Sequence, residues 1–332
     1  MLPLRFGRLA IDPPILLAPM SGLTHTVFRR VVGGFGGVGL FATEMLSARA
    51  LPGEPRHSPY LARTPSERPL SYQLLVAGPE ELPAALDAVH ALEPDAVDLN
   101  LGCPAPDARR RGGGCRLMEE PQTARGVVAE ARRRTALPLS AKIRLGSRLD
   151  EERLRSFCEM LEGEGVDLIS VHARLNGEPY GRRPRWEWIG KVKAWVKVPV
   201  VGNGGIFCVE DARRCVEASG CDGLMIGRGA AIRPWLPAEL AAELGGKGWQ
   251  GPTPEIPALY ERFGALLEES FASERCLGRL KEWTHYVSRN YAFGHGLATS
   301  VQASRSLPVA RERAAAFFAS NPAPASAPAG AA

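Results

Sequence analysis

The sequence predicts an α/β protein, a (β/α)8 TIM barrel followed by a small C-terminal helical domain. Three observations predict this fold. Short apolar runs alternate with longer amphipathic stretches between residues 15 and 226, eight such runs can be distinguished, and strand-like runs stop after residue 235. Because eight buried parallel strands with helical crossovers close naturally into a barrel, we favour that arrangement over an open doubly wound sheet.

The eight apolar runs are short and have the composition of buried strands. We predict strands at residues 15–18, 40–43, 70–75, 96–99, 139–143, 168–171, 199–202 and 223–226. The stretches between them have helical length and polarity, with Pro or Gly near several of their ends. Helices are predicted at residues 79–92, 122–135, 150–165 and 209–219.

The region after the barrel begins with a Gly- and Pro-rich passage at 245–257, which we interpret as a linker. Helices are predicted near 258–273, 276–291 and 300–320, enough for a small bundle. After Asn321 only Ala, Pro, Gly and Ser occur, and these residues lack the bulky apolar groups that packing requires. The predicted division is a barrel at 1–244, a helical domain at 245–320 and a disordered Ala/Pro-rich tail at 321–332.

Composition and charge narrow the class of protein. The chain has 332 residues and a net charge of +5, which is mild for a dedicated nucleic-acid-binding domain. We recognise no secretory signal and no uninterrupted apolar run of about 18 residues, and therefore expect a soluble cytoplasmic protein with no membrane partner. The seven cysteines include no C-x-x-C pair or zinc spacing, so we expect reduced thiols and no metal. No obligate protein partner is evident from the sequence.

Candidate site residues follow from the predicted barrel. Catalytic groups of such barrels lie where the chain leaves the C-terminal end of each strand. The residues that we single out at these positions are Pro19, Met20, Ser21, Gln73, Asn100, Cys103, Lys142, His172, Asn203, Gly204, Gly205, Gly227 and Arg228. We expect them to surround one site.

Two Gly-rich turns predict a phosphate site. Gly204 and Gly205 follow the seventh strand, and Gly227 and Arg228 follow the eighth. Glycines in these turns let backbone N–H groups approach a phosphate closely, although glycine also serves ordinary tight turns. The dinucleotide fingerprint G-x-G-x-x-G does not follow the first strand. A mononucleotide such as FMN is therefore favoured over a Rossmann-bound NAD.

Three side chains at the strand ends carry potential chemistry. Lys142 and His172 come from neighbouring strands, where cationic donors can stabilise the negative charge of a reduced flavin, although either residue alone could form an ordinary ion pair. Cys103 lies in a Gly-Cys-Pro turn and is a candidate nucleophile, proton donor, metal ligand or packing group. Because no metal-ligand set and no Cys-His-Asn order accompany it, proton donation is the active role that remains.

Six sequence blocks occur in a fixed order at these positions. They are L-A-P-M-S-G (17–22), D-L-N-L-G-C-P (98–104), A-K-I-R-L-G (141–146), V-H-A-R (171–174), V-V-G-N-G-G-I (200–206) and G-C-D-G-L-M-I-G-R-G-A (220–230). In these blocks the sequence resembles the tRNA-dihydrouridine synthases (Dus), which are FMN-dependent barrels with a C-terminal helical RNA-binding domain. Two further runs, at 112–118 and 278–287, look most like the bacterial DusC branch, which would link the chain to uridine 16 of tRNA.

The resemblance implies a role for each candidate residue. Pro19, Met20, Ser21 and Gln73 would contact the flavin ring, and Asn100 would help hold ring and substrate. Lys142 and His172 would bind FMN, and the residues implied for its phosphate are Asn203, Gly204, Gly205, Gly227 and Arg228. The resemblance also implies that NADPH supplies the electrons, that hydride reaches C6 of the uracil and that Cys103 protonates C5.

Two positions depart from the family pattern. Many relatives carry Lys or another polar residue shortly after the Cys-Pro, where this chain has Pro106. Gly205 stands where the DusC branch often has Glu. The first departure affects the expected substrate contacts, and the second removes a carboxylate while keeping a backbone N–H.

Two other functions remain as alternatives. One is an FMN barrel acting on a free pyrimidine, like the dihydroorotate dehydrogenases, and the other is an RNA-binding protein without catalysis. The helical module offers side chains suited to RNA, namely Arg279, Lys281, Tyr286 and Arg289, which favours tRNA over a free pyrimidine. The joint presence of Cys103, Lys142 and His172 favours an enzyme.

Overall fold

The computed structural model describes residues 1–251 and 254–321. Eight parallel strands follow one another around a single sheet, each paired with its neighbour in the chain. They are Ile15–Leu17 (β3), Phe41–Ser47 (β4), Leu70–Leu75 (β5), Ala96–Asn100 (β6), Leu139–Ile143 (β7), Leu168–His172 (β8), Val200–Asn203 (β9) and Gly223–Ile226 (β10). All eight predicted strands are present.

The sheet closes on itself. β3 pairs with β10, the last strand. On its other side a parallel bridge joins Leu16 to Leu40, next to the start of β4, and the amide of Leu17 donates to the carbonyl of Leu40 at 2.9 Å. The predicted TIM barrel is therefore confirmed, and the open doubly wound sheet is excluded.

An antiparallel hairpin, Leu4–Phe6 (β1) and Leu9–Ile11 (β2), precedes the barrel, and the sequence analysis did not predict it. Leu4, Phe6 and Ile11 of the hairpin are buried in one apolar cluster with residues in or next to the barrel strands. The barrel residues are Leu16, Leu40, Ala96, Leu168, Val201 and Met225. The hairpin thus adds apolar packing to the N-terminal half of the barrel, opposite the ends where catalytic groups are expected.

Helices surround the barrel as crossovers. They are Thr26–Gly33 (α1), Leu82–His90 (α2), Pro106–Arg110 (α3), Pro121–Arg134 (α4), Glu151–Gly163 (α5), Trp186–Trp195 (α6), Val209–Ser219 (α7), Arg228–Ile232 (α8) and Leu236–Leu244 (α9). The four predicted helices correspond to α2, α4, α5 and α7. Local chemistry explains their starts: Asp150 accepts the amide of Arg153 at the beginning of α5, and proline occupies the first turn of α2 and α4.

The C-terminal region contains four helices among its described residues, Ile256–Ser270 (α10), Ser273–Val287 (α11), Gly294–Gln302 (α12) and Leu307–Ser320 (α13). The single helix predicted at 300–320 is wrong, because the chain leaves the helix after Gln302 and starts a new one at Leu307. Pro308 explains the break: a proline fits the first turn of a new helix but cannot continue an existing one.

The helical region packs closely on the barrel. One continuous apolar cluster contains Phe28 of α1, Trp235 before α9, and Trp283 of α11. The division at residue 244/245 stays a prediction, and the predicted tail, apart from Asn321, lies outside the described residues. In the part of the chain that is described, no helix has both the length and the apolar character needed to cross a membrane.

Candidate active site

A cavity of about 570 Å³ opens at the C-terminal ends of the barrel strands. Every site residue singled out from the sequence lines its wall: Pro19, Met20, Ser21, Gln73, Asn100, Cys103, Lys142, His172, Asn203, Gly204, Gly205, Gly227 and Arg228. They meet because all strands of a closed parallel barrel end at the same rim. Their individual roles stay predictions.

A chain of hydrogen bonds runs from the barrel interior to the Cys103 turn. Asp98 accepts from the hydroxyl of Ser140 at 2.6 Å and from Gln73 Nε2 at 2.6 Å. Gln73 Oε1 accepts from Asn100 Nδ2 at 2.8 Å, and Asn100 Oδ1 accepts the backbone N–H of Cys103 at 2.9 Å. Burial raises the pKa of Asp98, and its two hydrogen-bond donors oppose that shift. The thiol turn is thus anchored to the barrel interior through two amides.

Lys142 extends from β7 toward the same cavity. Its Nζ donates to Asn203 Oδ1 at 3.0 Å, and Asn203 Nδ2 donates to the carbonyl of Met225 at 2.7 Å, so three strands share the contact. Burial lowers the pKa of Lys142 to about 8, and the neighbouring Arg144 acts in the same direction, while Asp98 opposes it. Lys142 is therefore a cation whose charge is easily lost unless an anion binds beside it.

His172 ends β8 and is neutral. Burial, reinforced by the positive charges of Lys142 and Arg144, holds the pKa of His172 well below its usual range. Its Nε2 lies 2.9 Å from Nη1 of Arg174, and because a guanidinium only donates, Nε2 is the acceptor. The proton of the neutral ring is therefore on Nδ1, which is available as a hydrogen-bond donor.

Glycines after β9 make a close approach to the cavity possible. Gly204 has φ of +108°, and a Cβ there would lie 2.6 Å from Cδ2 of His172. Gly205 has φ of +72°, and a Cβ there would lie 2.8 Å from Cγ of Pro184. Both the backbone conformation and the lack of space require glycine. Any residue with a Cβ at position 205 would therefore require Pro184 to shift.

The same turns present free amides. Within residues 1–251 and 254–321, the amides of Gly204, Gly205 and Gly227 donate to no acceptor. The guanidinium of Arg228 lies on the same wall, and its Nη2 donates to the carbonyl of Tyr180 at 3.2 Å. Unpaired amides beside a cation are the donors that a phosphate group needs, so this part of the cavity fits the phosphate of a mononucleotide.

Several residues of the cavity wall were not predicted from the sequence. Tyr180 comes from the loop between β8 and α6, stacks on His172 with ring centroids 6.0 Å apart, and lies 4.7 Å from Cζ of Arg228. Tyr286 comes from α11 of the helical region, and Met45 from β4. A loop position carries no periodic signal, and no sequence pattern predicts that a distant helix reaches a barrel mouth.

The Cys103 turn is supported by the segment that follows α3. The thiol is half-buried, and the carbonyl of Cys103 accepts the amide of Cys115 at 3.0 Å. Cys115 itself is buried, and burial raises the pKa of its thiol. Cys115 is therefore a packing group, whereas Cys103 faces the cavity.

These features define a class of protein. A closed eight-stranded barrel whose strand ends surround a cavity with free amides, a cation and a thiol has the architecture of a TIM-barrel enzyme. No cluster of three His, Cys, Asp or Glu side chains suited to a metal ion is found in the described ranges.

Comparison with known proteins identifies the family. Residues 16–288 match the family model for dihydrouridine synthase (Dus). The chain is 35% identical over 287 residues to the tRNA-dihydrouridine(16) synthase of Aquipseudomonas alcaligenes, covering 83% of this chain and 91% of that relative. It is 34% identical to the probable tRNA-dihydrouridine synthase 1 of Synechocystis sp., covering 72% of this chain and 67% of that one. The chain belongs to the dihydrouridine synthase family, a family of oxidoreductases, and the predicted resemblance is confirmed.

Solved structures support the fold at low identity. Morphinone reductase, solved in complex with tetrahydroNAD, superimposes with a TM-score of 0.53 at 13% identity, covering 79% of this chain and 93% of that chain. Histamine dehydrogenase from Rhizobium sp. 4-9 gives a TM-score of 0.54 at 15% identity, with 74% of this chain covered. This chain spans only 47% of that dehydrogenase. At these identities the likeness concerns the barrel fold.

Proposed function

We propose that this chain is an FMN-dependent tRNA-dihydrouridine synthase that reduces the C5=C6 bond of a uridine in tRNA, with NADPH as electron source. The observation that carries the proposal is the cavity itself. It brings the thiol of Cys103, the cation of Lys142 and the amides of the Gly-rich turns to one wall. The family membership supplies the reaction class.

FMN is the cofactor that the residues present fit. Gly204, Gly205, Gly227 and Arg228, with Asn203 beside them, would hold its phosphate through backbone amides and a guanidinium. Pro19, Met20, Ser21, Gln73, Asn100, Lys142 and His172 would surround its ring. When bound and reduced, FMN would supply hydride to C6 of the uracil.

The chain's own residues have separate tasks in this proposal. Lys142 holds a positive charge where negative charge develops during reduction, and Asn203 orients its ammonium group. His172 offers the Nδ1–H donor of a neutral imidazole. Cys103 gives its thiol proton to C5 after hydride reaches C6, which completes the addition of H⁻ and H⁺ across the double bond. Its thiolate then regains a proton from solvent.

The substrate in this proposal is tRNA, and uridine 16 is the favoured position. Two observations support this choice. The relative in Aquipseudomonas alcaligenes is named for position 16, and the similarity extends over 91% of that relative. Tyr286 of the helical region lines the cavity, so a base entering it meets both parts of the chain. We retain the domain roles as proposals, with an FMN-binding barrel at 1–244, a tRNA-binding helical domain at 245–320 and a cytoplasmic location.

An in vitro reaction tests the proposal. The purified chain is loaded with FMN and incubated with NADPH and unmodified tRNA transcripts, and dihydrouridine is mapped by mass spectrometry of nuclease fragments. We expect a mass increase of two hydrogens at a D-loop uridine. Failure of the chain to bind FMN would overturn the proposal that it is a flavoenzyme. Reduction of free pyrimidines with untouched tRNA would favour the dihydroorotate-dehydrogenase-like alternative, and FMN-free tRNA binding would favour the non-catalytic one.

A further inference from the structure

The helical region contacts the loop that follows β3, which carries Pro19, Met20 and Ser21 into the cavity. This loop also contains Gly22, whose amide donates to Oε2 of Glu44 at 2.6 Å. Glu44 lies in β4 and is buried, and burial raises the pKa of its carboxyl, against the attraction of Arg279. Two cations therefore favour the charged form of Glu44: Arg29 of α1, within the barrel, and one from the helical region.

Arg279 of α11 provides that cation. Its Nη1 lies 4.0 Å from Oε1 of Glu44, and its Nη2 donates to the hydroxyl of Tyr60 at 2.7 Å. The guanidinium also lies over the rings of Tyr60 and Phe271, at 5.2 Å and 5.7 Å from their centroids. A Cβ on Gly22 would lie only 3.3 Å from Nη1 of Arg279. Arg279, which the sequence suggested for RNA binding, therefore faces the barrel.

The helical region also holds the segment after β10, which carries Gly227 and Arg228. The indole Nε1 of Trp283 donates to the carbonyl of Ala231 at 3.0 Å. Nδ2 of Asn290 donates to the carbonyl of Ile232 at 2.6 Å. Trp283 and Asn290 are buried, so these hydrogen bonds are shielded from water. Two separate segments of the cavity wall, the loop after β3 and helix α8, are thus held by one neighbouring helical region.

A third interaction joins the same two parts of the chain without touching the cavity. Arg30 of α1 pairs with Glu269 of α10 at 3.1 Å. This ion pair is partly exposed and lies on neither of these two segments. It therefore offers a control for general weakening of the packing between helices and barrel.

We propose that the C-terminal helical region helps to hold the cofactor site in its binding conformation, and that Arg279 and Trp283 are positioning residues for the loop after β3 and for helix α8 after β10. The inference rests on the proposed function, because it takes FMN as the ligand. Its physical basis is preorganisation: a loop already held in its binding conformation loses less conformational freedom when the ligand binds. If the helical region no longer holds such a loop, FMN binding must order it, and the affinity for FMN falls.

Binding of FMN to the full-length apoprotein tests the inference, measured by quenching of FMN fluorescence. Arg279→Met keeps the aliphatic packing and removes the charge, and Trp283→Phe removes the indole N–H. We expect each substitution to raise the Kd for FMN about tenfold, because Arg279→Met removes a charge that attracts the buried carboxyl of Glu44 and Trp283→Phe removes a buried hydrogen bond to the carbonyl of Ala231. Arg279→Lys restores a cation beside Glu44 and should recover most of the affinity. Glu269→Gln should leave the Kd unchanged.

Each outcome has a definite meaning. Unchanged FMN affinity in folded Arg279→Met and Trp283→Phe would overturn the inference, and so would an equally weakened affinity in Glu269→Gln or no rescue by Arg279→Lys. Where a variant does not fold, judged by circular dichroism, Glu44→Gln decides, because it keeps an acceptor for Gly22 and removes the charge paired with Arg279. A wild-type chain that binds no FMN would instead overturn the proposed function.

Discussion

The side chain of Asn100 joins Cys103 to the barrel interior: Oδ1 accepts the amide of Cys103 at 2.9 Å while Nδ2 donates to Oε1 of Gln73 at 2.8 Å. Gln73 in turn must donate its own Nε2, because Asp98 accepts from it. The direction of both amides is therefore determined by the buried carboxylate of Asp98, three hydrogen bonds away from the amide of Cys103.

Exchanging the carboxylate and the amide at positions 98 and 100 tests whether Asp98 determines the orientation of the Gln73 amide. In Asn100→Asp the new carboxylate still accepts from Cys103 but faces the oxygen of Gln73. We expect the free energy of unfolding to fall by about 1–3 kcal/mol, since a buried acceptor is unpaired. Adding Asp98→Asn lets the Gln73 amide reverse, because Asn can donate to its oxygen. The double variant should be more stable than Asn100→Asp alone in urea denaturation, and additive destabilisation would contradict the relay.

Cys103→Ala separates flavin chemistry from uridine reduction. The variant should bind FMN and be reduced by NADPH at the wild-type rate, because the thiol takes part only when C5 is protonated. Dihydrouridine formation should fall about 10²–10⁴-fold, the usual contribution of a general acid. Single-turnover kinetics with tRNA measure the second step, and Cys208→Ala, a half-buried cysteine outside the cavity wall, is the control. Undiminished turnover would remove Cys103 from the mechanism.

Lys142 makes cofactor affinity depend on pH. Because its pKa is lowered to about 8 in the ligand-free chain, the ammonium is lost as the pH rises through that value. An FMN site that needs this charge should weaken above about pH 8, and Lys142→Met should bind weakly at every pH without that transition. Fluorescence titrations between about pH 6 and pH 10 measure both proteins. A parallel pH profile in the two would exclude Lys142 as the group responsible.

The same lowered pKa has a consequence for stability with a defined sign. Between about pH 8 and the pKa of a free lysine near 10.4, the unfolded chain holds the proton more tightly than the folded one. The free energy of unfolding contributed by Lys142 therefore rises with pH across this window. Below it both states carry the proton, and the full penalty for burying the cation remains.

Two glycines with similar backbone conformations allow the cost of a left-handed backbone to be distinguished from the cost of a steric clash. Gly205 has φ of +72° and Gly36 has φ of +76°, but a Cβ meets Pro184 at 2.8 Å in the first and nothing within 4 Å in the second. Alanine at either position should cost roughly 1–2 kcal/mol for the left-handed backbone. Only Gly205→Ala should also weaken FMN binding, because the clash with Pro184 shifts the proposed phosphate turn. Equal FMN affinities in both variants would argue against that turn as the phosphate site.

Charge reversal on the helical region tests the tRNA surface. Arg289 is exposed, and Lys281 is partly exposed on α11. Lys281→Glu and Arg289→Glu should weaken tRNA binding and reduce the slope of log affinity against log salt by about one for each phosphate that is no longer neutralised. NADPH oxidation by the FMN-loaded protein should be unaffected. Filter binding at several salt concentrations gives the slope. An unchanged affinity for tRNA would mean that Lys281 and Arg289 of the helical region do not bind tRNA.

Much of the barrel could be predicted because its signals are local. A buried strand is indicated by a short apolar run, and the order of such runs determines which residues meet at the rim. The sequence alone could therefore place Lys142 and His172 in the same cavity. The β1–β2 hairpin escaped prediction because its two short strands lie before residue 15, outside the alternation of apolar runs and helical stretches. The break after Gln302 was missed because the pattern on both sides of it is helical.

The sequence by itself determined the strand order, the family blocks and those cavity residues that directly follow or end the strands, since each depends on residue type and spacing along one chain. Only the tertiary structure decided that Arg279 turns toward Glu44, that Tyr180 and Tyr286 line the cavity, and in which direction the Gln73 and Asn100 amides point. These facts depend on how side chains far apart in the chain pack and satisfy one another's hydrogen bonds. No single segment contains that information.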